Sequence, residues 1–157
     1  MVVIMALSLL SPVFGNGDMI PVLYTADGED ISPPLEWEFE GEAGSYGLIC
    51  VDLDAPGGEW VHWVAYNIPG DSMSLAEGIP AVERLENGTL QGINSWGMTG
   101  YGGPAPPSGK HRYVFTLYAL EGMLHLEAGA TSEELLAAME GNIVSKDILM
   151  GEYTRDR

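Results

Sequence analysis

Three short segments carry the side chains that could do chemistry. In Val51–Pro56, VDLDAP, two aspartates stand two residues apart. If that stretch is extended, Asp52 and Asp54 turn their carboxylates to one face at a strand's end. In Glu59–Trp63, EWVHW, strand geometry makes His62 project with Val64 and Tyr66. In the third, His111 and Tyr113 share a face and Arg112 lies opposite, as a structural partner for an acid such as Glu59. Together they could donate N–H and O–H bonds to an anion, with Asp52 orienting or protonating a histidine. Each segment also has a plainer reading. Asp54-Ala55-Pro56 suits a solvated turn, and a histidine among aromatics suits a satisfied core position. Two histidines and an aspartate are also a donor set for iron or zinc, but the HxH or HxxxE spacing that strengthens such a reading is absent.

The elements that must position these groups are short strands and one helix. Gly97–Leu120 begins as a glycine- and proline-dense loop and ends as an apolar strand over Tyr113–Leu120. Its prolines fix φ and its glycines permit close backbone approach. The loop therefore reads equally as a stiff rim facing an anion or as an ordinary surface turn. Leu35–Glu40 alternates strictly, with Leu35, Trp37 and Phe39 inward and three glutamates outward. Met19–Tyr24, Tyr46–Asp52 and Val61–Ile68 read as further strands. Gly70–Gly92 is polar and irregular.

One helix is expected over about 131–141. Thr131 and Glu134 form a capping box, Leu135, Leu136 and Met139 make an apolar stripe, and Gly141 supplies the C′ residue. Ile143–Tyr153 reads either as its continuation or as a last strand. Strands at short spacing with turn-rich connections favour a mainly β, antiparallel sandwich over a βαβ architecture.

Length and charge bound the function. The 157 residues make one domain, 1–157, able to bury about 68–70% of its unfolded surface without a disulfide or metal. The single Cys50 lies in an apolar run and reads as a buried, inert thiol. Net charge is −17, from 23 acidic and 6 basic residues. That field repels nucleic acid and anionic membranes. The apolar start lacks a basic n-region and a small-x-small cleavage site, so a cytoplasmic protein is expected, with residues 1–5 surplus to the domain. There is no GxSxG elbow, P-loop or kinase motif set, so neither an enzyme nor a cofactor is expected. His125 is expected to be exposed, Trp37, Trp63 and Trp96 to pack in core or rim, and Trp60 to face the site.

Taken together, DLDAPGGEWVHW, NIPG, GxNxWGxTGYGGPxPPxGxHRYxFxLYAL and the earlier GEDISPPLEW resemble the phosphatidylethanolamine-binding protein family. The likeness is to its compact bacterial and archaeal, Raf-kinase-inhibitor-like branch, and it runs from about Leu9 to Tyr153. It implies a β-sandwich with peripheral helices and a small pocket for phosphate-like anions at one end. Carried over position by position, the ligand-binding residues are Asp52, Asp54, Pro56, Trp60, His62, Gly103, Ala105, His111 and Tyr113. Two positions depart from the pattern: Val61 where a second histidine is common, and Ala105 where a loop glycine is. The resemblance further implies a cis Ala55–Pro56 bond. Family members also inhibit kinases or serine proteases, for which Gly70–Leu90 is the long loop on offer, and compact prokaryotic members can pair as homodimers.

Overall fold

Alternation of apolar and polar residues builds the smaller of two sheets. In β2 (Leu35–Phe39), Leu35 and Trp37 are buried while Glu36 and Glu38 face solvent. It pairs antiparallel with β1 (Leu7–Leu10), setting Leu9 opposite Trp37, and with the short β5 (Ser74–Leu75). The larger sheet comprises β3 (Ser45–Asp52), β4 (Trp60–Pro69), β6 (Leu90–Gln91), β7 (Gly109–Leu120) and β8 (Ile143–Arg155). Its order is β6-β4-β3-β7-β8, with every neighbouring pair antiparallel. The computed structural model describes residues 5–155. The expectation of surplus residues at 1–5 therefore falls outside the described residues, Met5 apart.

The main core lies between the sheets. Leu7, Leu9, Leu35 and Trp37 of the small sheet meet Tyr46, Leu48, Trp63, Phe115, Leu117 and Leu149 of the large one. Cys50 is buried in the same cluster, and burial pushes its thiol pKa well up. A second cluster covers the other face of the large sheet, where Ile49, Val64, Tyr66 and Leu120 meet α1 (Ser132–Met139) through Leu135 and Met139. The expected capping box is present: the Thr131 hydroxyl accepts from Glu134 N–H, and the Glu134 carboxylate accepts from Thr131 N–H. Leu136, expected in the apolar stripe, is exposed instead.

Two readings resolve differently from a purely local one. Ile143–Tyr153 is strand, held by a ladder to β7 that shifts register once, at Val144. Met19–Tyr24 is not a strand. Pro21 has no N–H for a ladder, and Val22–Tyr24 winds into a 3-10 turn through Tyr24 N–H to Pro21 O and Thr25 N–H to Val22 O. Met19 alone bridges to Glu152. No helix among the described residues is long and apolar enough to cross a membrane.

Candidate functional site

Strand register brings the three chemical segments to one end of the large sheet. Asp52, the last residue of β3, lies opposite Trp60 on one side and Tyr113 on the other. Next to Trp60 the β3–β4 ladder slips: Cys50 pairs with Trp63 but Val51 with Val61, leaving His62 as the extra residue of a bulge. The bulge turns His62 onto the same face as Trp63, toward the inter-sheet core. Its ring stands 5.1 Å from that of Tyr113, edge to face. This corrects the simple alternation that grouped His62 with Val64 and Tyr66, both of which pack on the other face under α1. His111 reaches the same place from β7, on the face it shares with Tyr113.

Asp52, Ala55, Pro56, Trp60, His62, Trp96, Ala105, Pro107 and His111 enclose a cavity of about 320 Å³. Its ionisable groups are deeply set: His62 is 2% exposed, Asp52 4% and His111 7%. Trp60 and Trp96 meet edge to face at 5.6 Å, and Trp96 leans on His62 at 4.9 Å. A larger hollow, about 810 Å³, opens at the opposite end of the sheet beside the exposed His125. Its buried Asn67 is tied to Leu124, donating to its carbonyl and accepting from its N–H. Only the smaller cavity gathers buried ionisable groups.

Hydrogen bonds fix which imidazole nitrogens remain usable. His62 Nδ1 lies 2.6 Å from the carbonyl oxygen of Gly102, which can only accept, so Nδ1 carries the hydrogen. His111 Nδ1 lies 2.6 Å from Oδ2 of Asp52, and the carboxylate likewise takes that N–H. The other Asp52 oxygen accepts from Asp54 N–H at 2.8 Å. Nε2 of both histidines has no hydrogen-bond partner among the described residues, yet neither is sealed from solvent. Burial lowers the pKa of His62, opposed by its bond to Gly102 O and by the charge of Asp52. The fold uses the Nδ1 hydrogens, so Nε2 is what each ring presents to the cavity.

Three expected ligand-binding residues stand elsewhere. Asp54 turns outward, where its carboxylate takes Arg112 N–H, Nε–H and Nη2–H, each at 2.9 Å. Those bonds hold its pKa down at about 2. Asp54, and not Glu59, is therefore the partner of Arg112. Gly103 donates its N–H to Asp30 Oδ1 at 2.7 Å, on the far side of the rim. A Cβ there would lie 2.4 Å from Tyr24 O, so only glycine fits. Tyr113 lies beneath the histidines, 1% exposed, and its hydroxyl is buried without a partner. Burial, then the charge of Asp52, holds its phenol well above the ordinary range. Ala105 does line the cavity, and its N–H has no partner among the described residues. The Ala55–Pro56 bond is trans, not cis, and the reversal that follows runs through Gly57 and Gly58 at φ 85° and 120°.

Sequence reasoning missed Trp96, Ala55 and Pro107 as cavity walls. Trp96 carried a usable signal: an aromatic beside Gly97, in a turn where Asn94 Oδ1 accepts from both Trp96 and Met98 N–H. Such a turn holds a large side chain at the surface, and Trp96 is 43% exposed.

A family model described as phosphatidylethanolamine-binding protein matches residues 10–154. The chain belongs to this family. A UPF0098 protein of Methanothermobacter thermautotrophicus is 51% identical over 150 residues, covering 95% of this chain and 99% of its own. Among solved structures, a putative family homolog from Chlamydia trachomatis superposes with a TM-score of 0.88 at 41% identity, covering 96% of this chain and 99% of that one. Escherichia coli YbcL gives 0.85 at 26% identity, with the same coverage of both chains. Both solved structures share the antiparallel sandwich fold of the present chain. Among the described residues no cluster of three or more His, Cys, Asp or Glu could hold a metal ion. Both Asp52 oxygens are already engaged.

Proposed function

We propose that the protein is a non-enzymatic binding protein for small phosphate-type anions, received in the cavity between Trp60, Trp96 and the rim at Ala105–Pro107. The observation that carries this reading is the convergence of two imidazoles from separate strands, each with Nε2 free and solvent-reached, beside the unpartnered N–H of Ala105. A protonated ring gives the anion a charge-assisted bond, roughly twice as strong as a neutral one. A cavity of about 320 Å³ suits a phosphate with a small substituent. Among the described residues no serine, threonine or cysteine lines it.

Titration with inorganic phosphate, followed by the His62 and His111 ring resonances, tests the reading. Both sets should move together and saturate. His62→Ala should lower phosphate affinity at least about tenfold, a loss of roughly 1.4 kcal/mol, with the fold retained by circular dichroism. Resonances that stay still, or unchanged affinity in a folded variant, would exclude the pocket. The first outcome would turn attention to a protein-inhibitor role through the loops.

A further inference from the structure

The glycine- and proline-rich rim has a second side. There Trp96 and Ala105, which line the cavity already described, also wall a separate hollow of about 250 Å³ with Asp30, Met98, Thr99 and Tyr101. Trp96 is pressed against the rim, since a Cβ at Gly102 would meet its Cζ3 at 2.5 Å. Most polar groups around this hollow are spent. The Tyr101 hydroxyl donates to Tyr24 O at 2.6 Å. Asn94 donates to Gly100 O and accepts from Trp96 and Met98 N–H. Asp30 is the exception. Its backbone is held in the left-handed region at φ 59°, with its N–H given to Leu23 O. Of its carboxylate only Oδ1 is engaged, by Gly103 N–H, and it enters none of the ion pairs among the described residues. The side chain is open to solvent, yet the walls beside it raise its pKa above the ordinary carboxylate value, against the opposing Gly103 N–H. A carboxylate so placed lacks a counter-ion, and Oδ2 is where one would sit.

We propose that this hollow is a subsite for a lysine side chain of a protein partner, its ammonium on Asp30 Oδ2 and its stem along Trp96 and Met98. An apolar stem with a charged tip matches an apolar wall with one carboxylate. Arginine matches less well, because its fork takes both carboxylate oxygens and Gly103 already holds Oδ1. The apolar surface continues outside the hollow, where Met98 is 65% exposed, Val82 44% and Trp96 43%. Methionine and aromatic side chains are enriched in protein interfaces, so a chain and not a free amine is the source. A volume of about 250 Å³ falls below the roughly 300–1,000 Å³ of sites that enclose a whole small molecule, and suits one side chain. The net charge of −17 adds a field that draws a basic partner in. The subsite stands independently of the anion pocket.

The test titrates the full chain with three probes, following the Trp96 indole N–H and the Met98 methyl resonances. The first, n-butylammonium, is the lysine side chain without its backbone. The second, n-butanol, has the same stem without the charge and should bind about fivefold more weakly, the upper worth of an exposed ion pair. The third, a capped leucine-lysine-leucine tripeptide, should bind at least about tenfold tighter than n-butylammonium, through apolar contact with Met98 and Val82. Ethanolammonium, which lacks the stem, should bind at least about threefold more weakly than n-butylammonium. Asp30→Asn keeps an acceptor for Gly103 N–H but removes the charge. It should abolish the advantage of n-butylammonium over n-butanol, while inorganic phosphate moves the His62 and His111 resonances as in the wild type. Equal binding of n-butylammonium and n-butanol would overturn the lysine subsite. So would a tripeptide no tighter than n-butylammonium, or ethanolammonium as tight, since either would make the hollow a site for free amines. A phosphate response that is absent from the wild type would instead count against the anion pocket alone. The wild-type comparisons decide the matter even if Asp30→Asn does not fold.

Discussion

At His62 the backbone decides what the side chain can reach. Without the bulge opposite Cys50 and Val51, strict alternation would set this ring on the outer face with Val64, away from Asp52 and His111. With it, the imidazole is enclosed and its charged form is disfavoured, so the folded-state pKa lies below the value near 6.5 of an unfolded chain. The sign of the resulting pH dependence follows. The unfolded state binds more protons in the window just under pH 6.5, so stability is full above it and is lost as pH falls through the lowered pKa. The slope from one such group is at most about 1.4 kcal/mol for each pH unit. Urea unfolding in phosphate-free buffer should show the midpoint dropping between pH 7.5 and 5.5, and His62→Gln should flatten that drop. A variant that retains the full slope would show that another group carries it. The same bulge leaves Val61 pointing outward, which removes that position from the cavity whatever residue occupies it.

Elements differ in how far local sequence determines them. The helix α1 has a complete capping box, with Glu133 and Glu134 in its first turn, where negative charge suits the dipole. Thr131→Ala should nevertheless cost only about 1 kcal/mol, the usual worth of a cap. Leu135→Ala should cost about 2–5 kcal/mol, because Leu135 is fully buried against the outer sheet face. Urea midpoints of the two variants would rank them, and a larger loss at Thr131 would mean that capping, not packing, holds the helix. The helix start and the half-solvated β2 were legible from sequence because each advertises itself within a few residues. Strand β8 was not, since its apolar residues Ile143, Val144, Ile148, Leu149 and Met150 keep to neither period cleanly, and only the partner β7 decides. Asp52, His62 and His111 were legible as types worth watching. Their spent Nδ1 hydrogens were not, because Gly102 O and the Asp52 carboxylate reach them from 40 and 59 residues away. Asp54 misled for a related reason: alternation stops where β3 ends, and Arg112 on the outer face captures it.

For the molecule as a whole, charge separates a small dissolved anion from an anionic surface. The net charge of −17 is poorly offset by the cations, three of which are already paired: Lys110 with Glu152, Arg112 with Asp54 and Arg155 with Asp27. At physiological salt a charge is screened beyond about 8 Å, so a small anion inside the cavity responds chiefly to the groups lining it. A bilayer extends over many such lengths and meets the summed field of the protein. Its anionic lipids gain about 1 kcal/mol for each basic residue brought near, and this chain offers few free ones against 23 acids. We therefore expect the protein to remain in the supernatant when sedimented with phosphatidylserine-rich vesicles at low salt, under conditions where inorganic phosphate still shifts the histidine resonances. Retention on those vesicles would mean that a local docking surface outweighs the global field, and would return the intact phospholipid headgroup as the ligand of this pocket.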